Sequence, residues 1–388
     1  MHKDIKKKEI AIFDFYLGGH HIEYLHHIYI NALECKDIDF TFIIPNNFSK
    51  FKSDFEWPES DNVKFVFYEL DDAYVRSLGF REKSRLLCGL LKRFISETGI
   101  ENVILIETIV FLPYLPFYIS GNVNITSILY HLPLYKKEPK FKSRLHVEID
   151  MSIIAYSRCL KRVCLLNSKN AVDIYNKKYH TKKFAFLPDP YTPLLCRKTP
   201  EDIKKEYDIA SEKEIFIHIG GLTRRKGTID ILDALIKLDT ECLSNKCFIF
   251  AGRVIEDIKK DFYEKIELLK NKVQIIVLDK FCEYSLFGEI CTIADYILIP
   301  YKNTAQSSGI CSYAAQFNVP VIGPSEGLLG SLIRENGLGH TINEISADKI
   351  AELIKSMEYK NISTDKMKSN EYLNLSTPQN FFHYLTEL

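Results

Sequence analysis

The chain has 388 residues, 46% of them hydrophobic, with 51 Lys and Arg against 51 Asp and Glu. That length exceeds the size at which one core keeps growing, so two domains are expected. The balanced charge excludes a nucleic-acid binder that relies on general attraction to phosphates.

In chain order, the N-terminus Met1-His-Lys-Asp-Ile-Lys-Lys-Lys-Glu9 runs into a strand without the apolar region of a signal peptide. No later segment reaches the roughly 18 apolar residues that span a bilayer. The ten cysteines include no Cys-x-x-Cys pair, a usage that predicts reduced packing residues in a cytoplasmic protein. Short apolar runs at Ile10–Phe15, Phe40–Ile44, Lys64–Phe67, Asn102–Ile106, Ile125–Tyr130 and Arg162–Leu166 read as strands. Helical segments at 74–98 and 144–161 separate some of them. Continuous apolar strands alternating with helices predict a parallel sheet covered on both faces.

The first strand leads into Leu17-Gly-Gly-His-His-Ile-Glu-Tyr24, a strand-to-helix glycine turn. His20, His21, His26 and His27 are spaced partly as helix neighbours, which invites a metal reading. No His-Glu-x-x-His pattern or complete ligand set accompanies them, so no metal is expected. Glu107 and His131 follow strand ends, where the site residues of parallel sheets collect. For His131 the alternative is a histidine satisfied within its own loop. Two basic clusters, Arg76 to Arg93 and Lys136 to Arg144, belong to this half. With Leu86, Leu87, Leu90, Leu91 and Ile95, the first forms an amphipathic helix. It is either a core helix with a solvated face or a face that rests on an anionic membrane.

At Leu187-Pro-Asp-Pro-Tyr-Thr-Pro193, three prolines favour an extended linker. The alternation then restarts. Glu214–Ile219 is a strand, Gly220-Gly-Leu-Thr-Arg-Arg-Lys-Gly227 a glycine-rich cationic turn, and Thr228 onward a helix striped with Ile229, Leu232, Leu235 and Ile236. Gly221 allows close backbone approach, and Arg224, Arg225 and Lys226 suit a diphosphate. A solvated basic turn is the alternative, and the Walker A pattern is absent. Further on, Asp295–Tyr301 is a buried strand, followed by Gln306-Ser-Ser-Gly309, a helix over 310–317 and a second strand over 318–323. Ser307, Ser308 and Gly309 offer hydroxyls and N–H groups at a helix start, suited to a phosphate or to ordinary N-capping.

These loops, in this order, resemble the nucleotide-binding domain of a GT-B glycosyltransferase of retaining family 4. The matching stretches are Gly220–Gly227 with Ile231–Ala234, Phe250–Gly252, Ala294–Tyr301, Ser307–Gly309 and Val319–Ile322. The resemblance implies two Rossmann-like domains, 1–189 for the acceptor and 190–375 for the donor, facing across a cleft. It also implies that a helix in 376–388 returns to the first domain. Lys226, with Arg224 or Arg225, would bind the donor diphosphate. The Gly18-Gly19 loop, His20 and His21 would lie near the sugar and acceptor, and His131 beside the transferred sugar. No cofactor or catalytic metal is implied, and a nucleotide-sugar donor and a saccharide or lipid-linked acceptor are.

One departure stands out. The family carries Glu-x7-Glu ahead of its Val-Pro-Val strand, where this chain has Ala305 and Tyr313. Gln306 and Tyr313 become the candidates for donor sugar or ribose, Tyr313 through its phenol or else as a packed helix residue. Base recognition falls to the neighbourhood of Arg253 and 281–283. The expected function is sugar transfer to a hydroxyl on a surface polysaccharide or glycolipid, with retention and without metal. The rivals are a nucleotide-sugar epimerase of the same fold and a non-catalytic partner subunit. A general base is required only for an inverting enzyme, and His20, His21, His131 and Glu107 are its candidates.

Overall fold

The computed structural model describes residues 7–51, 55–135, 141–356 and 362–387. Of the basic clusters, Lys136, Lys137 and Lys140 lie outside the described residues, as do the side chains of Arg76 and Lys142.

The apolar runs pair into two sheets, parallel throughout among the described residues. The first contains β1 (Lys8–Phe13), β2 (Ile38–Pro45), β3 (Val63–Tyr68), β4 (Asn102–Leu105), β5 (Asn124–Leu129), β6 (Leu160–Leu166) and β7 (Phe184–Leu187). The second contains β8 (Glu214–Ile219), β9 (Lys246–Ala251), β10 (Gln274–Leu278), β11 (Tyr296–Leu298), β12 (Val321–Pro324) and β13 (Gly339–Ile342). Their orders are β3-β2-β1-β4-β5-β6-β7 and β10-β9-β8-β11-β12-β13. Each sheet winds outward from its first strand on one side and then resumes on the other, as the sequence predicts for a doubly wound α/β protein. The order reverses between β1 and β4 and between β8 and β11, the two places where such sheets bind ligands.

The chain divides into two compact units. Unit 1 takes the described residues up to Pro133, then those from Phe141 to Pro190, and those from Thr377 on; unit 2 takes Tyr191–Ser376 and Leu134–Tyr135. Burial explains the strands: every residue of β9 is buried, and so are the last four of β1. In unit 2 the helix Thr228–Lys237 buries Ile229, Ile231, Leu232 and Leu235 in one core with Phe216, Phe248 and Phe250. In unit 1 the helix Pro378–Thr386 joins the core of β1 and β2, its Phe381 ring 5.0 Å from Tyr24 and its Phe382 ring 5.8 Å from Phe40.

The expected helix over 74–98 is two helices, Asp72–Ser77 and Phe80–Thr98. Gly79 breaks it: its backbone is extended, at φ −63° and ψ 156°, and its N–H donates to Glu82 Oε2 at 3.0 Å, starting the second helix. That helix buries Leu87, Cys88, Leu91 and Phe94 and leaves Arg81, Lys92 and Arg93 in solvent. The helix expected to end at Lys161 spans Phe141–Tyr156, because Leu160–Lys161 already belongs to β6. The linker is extended but fastened. Asp189 receives the Tyr24 hydroxyl, and its N–H donates to Asn167 Oδ1 at 2.9 Å. Beyond it, the Leu194 amide exchanges two 2.9 Å hydrogen bonds with the Gln316 side chain. No helix of the described residues is long and apolar enough to cross a membrane.

Candidate functional site

At the reversal point of unit 2, the loops after β8 and β11 are laced together. Thr223 opens a 3-10 turn over Arg224–Lys226, its hydroxyl accepting the Lys226 N–H at 3.1 Å. The turn closes at Gly227, where φ is +75° and a Cβ would stand 2.3 Å from the Pro300 carbonyl oxygen. Only glycine admits that approach. The Lys302 N–H then donates to the Arg225 carbonyl at 2.9 Å, and its amine pairs with Asp230 at 2.8 Å.

This lacing carries Lys226 onto Tyr301, the first residue after Pro300. The Lys226 amine lies 5.3 Å from the centre of the Tyr301 ring, a cation–π distance. Burial, reinforced by the Arg225 charge, lowers the Lys226 pKa to about 8. Tyr301 is buried, which pushes its hydroxyl up to about 12, and Ser308 works against that rise from beside it. Lys226 and Ser308, expected to share a diphosphate, therefore share a tyrosine. Arg224 instead pairs with Asp261 at 3.3 Å, which leaves Arg225 as the cation whose charge reaches Lys226.

Ser307, Ser308 and Gly309 are half-buried at the start of the helix Ile310–Phe317. Gly309 is the N-cap residue of that helix, and without a side chain it makes no side-chain cap. Gly221 is exposed in its turn and Gln306 is half-buried. Tyr313 is packed inward at 9% exposure, and Ala305 is buried.

The sequence reading missed the group beneath this site. His218 is fully buried in β8, its Nδ1 2.8 Å from the Leu298 carbonyl of β11 and its Nε2 3.0 Å from the Thr228 hydroxyl. A carbonyl only accepts, so Nδ1 carries the proton, and the Thr228 hydroxyl donates to Nε2. The same hydroxyl accepts the Thr223 N–H at 3.0 Å. Burial lowers the His218 pKa to about 4, keeping it neutral. The visible signal was a lone polar residue inside the buried run Ile215, Phe216, Ile217, His218, Ile219.

At the reversal point of unit 1, Asp14 follows β1 and is buried. It accepts the N–H groups of Phe15 at 2.8 Å and Tyr16 at 3.2 Å, and faces His21 Nδ1 at 2.9 Å. Burial opposes the charged His21 ring, but the Asp14 and Glu107 carboxylates outweigh it and the pKa is raised. Glu107, after β4, is raised by burial and by Asp14, with His21 acting against that. Asp14 was not anticipated, although it is the one carboxylate of the run Ile10–Phe15.

Gly18 and Gly19 shape this turn, with Gly19, at φ +61°, capping the helix His20–Ala32. His20 diverges from His21: its side chain is 75% exposed and sits 3.6 Å from Glu23, which raises its pKa. His26 meets the Glu56 carbonyl at 3.0 Å and His27 lies 3.9 Å from Glu23. No three His, Cys, Asp or Glu side chains form a metal-binding group among the described residues. His131 is exposed beyond β5, while Tyr130, the residue before it, packs on His21 at 5.7 Å and Tyr24 at 5.8 Å.

No family model and no curated protein sequence matches this chain. Solved structures match it along nearly its whole length. Anabaena Alr3699/HepE in complex with UDP is 13% identical, with a TM-score of 0.66 and 98% of each chain covered. WaaG, a glycosyltransferase involved in lipopolysaccharide biosynthesis, is 12% identical, with a TM-score of 0.62 and 98% of each chain covered. An α,α-trehalose-phosphate synthase (UDP-forming) from Burkholderia vietnamiensis is 9% identical, with a TM-score of 0.62, covering 97% of this chain and 98% of its own. At such identities the likeness is one of fold: these two parallel-sheet units have the GT-B architecture of glycosyltransferases.

Proposed function

We propose that this chain is a glycosyltransferase that moves a sugar from a nucleoside diphosphate sugar to a hydroxyl of a surface polysaccharide or glycolipid, without a catalytic metal. The observation that carries the reading is the Lys226 amine held over Tyr301, whose hydroxyl Ser308 flanks, where the loops after β8 and β11 meet. A departing diphosphate accumulates negative charge as the glycosidic bond breaks. Lys226 and Arg225 supply positive charge there, while Ser307, Ser308 and Gly309 supply O–H and N–H donors at a helix start. Donors already in place stabilise that charge without reorganisation, the main electrostatic contribution expected of such a site. A pKa of about 8 leaves Lys226 mostly protonated at neutral pH, and an arriving diphosphate raises it further. The UDP bound to HepE makes UDP-sugars the first donors to test.

Two stereochemical outcomes have distinct support. The family 4 resemblance favours retention, in which the leaving diphosphate assists the acceptor. The Asp14–His21 pair favours inversion, because a neutral histidine oriented and made more basic by a buried carboxylate can take the acceptor proton as a general base. Proton NMR of the anomeric product separates them. The transfer reading itself is tested with radiolabelled UDP-sugars and the variant Lys226→Ala. Sugar transfer at the wild-type rate by that variant sinks the assignment.

A further inference from the structure

Unit 1 holds an open concavity of about 770 Å³ that shares no residue with either reversal point. It lies between β3 and the stretches 46–49 and 57–61 that precede it. Aromatic rings line it. Phe67, 52% exposed, stacks on Phe65 at 5.9 Å with the ring planes 7° apart, and Trp57 meets Phe65 edge-on at 5.9 Å. Polar groups ring it, with Asn46, Glu59 and Asp61 all exposed at its margin.

That combination selects a ligand. A lipid chain would satisfy the rings but leave the margin unpaired. A phosphorylated molecule, including the nucleotide donor, would meet two carboxylates against one cation, Lys64. A pyranose fits both features: it is neutral, its C–H face lies flat on an aromatic ring, and its hydroxyls donate to carboxylates at the edge. The volume falls within the range of about 300–1,000 Å³ typical of small-ligand sites.

We propose that this concavity is a saccharide site holding a neutral sugar unit of the acceptor glycan. Phe67 and Trp57 carry its C–H face, and Glu59 and Asp61 accept from its hydroxyls. The assignment rests on the transfer reaction only for the source of the saccharide.

Trp57 is the single tryptophan of the chain, so its emission reports the site directly. The full chain is titrated with maltose, lactose, mannobiose and diacetylchitobiose while Trp57 fluorescence is followed. At least one disaccharide gives a saturable change. Phe67→Ala, which truncates a half-exposed ring, keeps the melting temperature and weakens that response about tenfold or more. No saturable change with any of the four, or a change indifferent to Phe67→Ala, overturns the proposal. A response to UDP that Phe67→Ala abolishes overturns it as well, by making the concavity an anion site. Lys226→Ala separates the two readings: it loses UDP-induced stabilisation and keeps the Trp57 response to sugar.

Discussion

The amine of Lys226 rests 5.3 Å from the centre of the Tyr301 ring, on a turn whose backbone is bonded to the loop that carries that ring. A half-buried ammonium set over a ring and beside an arginine is held against its own solvation. The folded pKa is about 8 against 10.5 for an ordinary lysine, so between those values the unfolded chain binds a proton that the folded one does not. Stability attributable to Lys226 therefore rises with pH across that window, and at pH 7 the charge is a liability. Lys226→Met should raise the melting temperature of the ligand-free protein at pH 7, by on the order of 1–2 kcal/mol in stability after discounting for partial exposure. The same variant should lose about a hundredfold or more in sugar transfer. A less stable variant with full turnover contradicts both halves.

Gly252 should be indispensable for a reason visible only in three dimensions. Its φ is +144°, and a Cβ there would stand 2.0 Å from the Gly220 carbonyl oxygen. Neither backbone can give way, and Lys226 is folded over Gly220. Gly252→Ala should cost about 2–4 kcal/mol and weaken diphosphate binding with it. Gly221→Ala, with nothing within 4 Å and no left-handed φ, should leave the melting temperature unchanged. Thermal shifts with and without UDP read both variants.

His218 sets an acid limit. Its folded pKa of about 4 lies below the unfolded 6.5, so protons bind the unfolded chain first as pH falls, and stability drops between 6.5 and 4. His27, lowered to about 4 by burial, adds a second proton to the same window. Urea unfolding from pH 7 to 4.5 should show a slope smaller by about one proton in His218→Gln than in the wild type. That variant should also lose about 1–3 kcal/mol at pH 7, because Leu298 and Thr228 forfeit their shared partner. An identical slope in the variant would refute the assignment.

Asp14→Asn should lower the titration midpoint of His21 followed by NMR, since burial alone depresses an imidazole and Asp14 is the largest of the groups opposing it. The asparagine oxygen can still accept the Phe15 and Tyr16 N–H groups, so the turn should survive. If the enzyme inverts, the acid limb of kcat/KM moves down with that midpoint. A midpoint that stays put removes Asp14 from any role in tuning His21.

Sheet-forming runs, the turn after β8 and the helix start at Gly309 were legible because they rest on local patterns: apolar runs of strand length, glycines bracketing cations, hydroxyls ahead of a helix. The break at Gly79 was missed because the apolar spacing continues on both sides of it. Asp14, His218 and Tyr301 were not singled out for a different reason. Each takes its significance from a partner across the sheet or in a loop far along the chain, and single polar residues within apolar runs carry no periodicity to announce them. The choice between Arg224 and Arg225 likewise depended on Asp261, which the sequence does not place opposite either.

Besides the short excursion that begins after Pro133, the chain passes between its two units at 190–191 and at 376–377, so the bulk of unit 2 interrupts unit 1. Phe381 and Leu385, wholly buried beside Tyr24, Ile28 and Phe40, are the last pieces of the core that β1 begins. Unit 2 can close while unit 1 still lacks the helix Pro378–Thr386. Deleting the helix Pro378–Thr386 would therefore uncover apolar surface on β1 and β2, strands far removed from it along the chain.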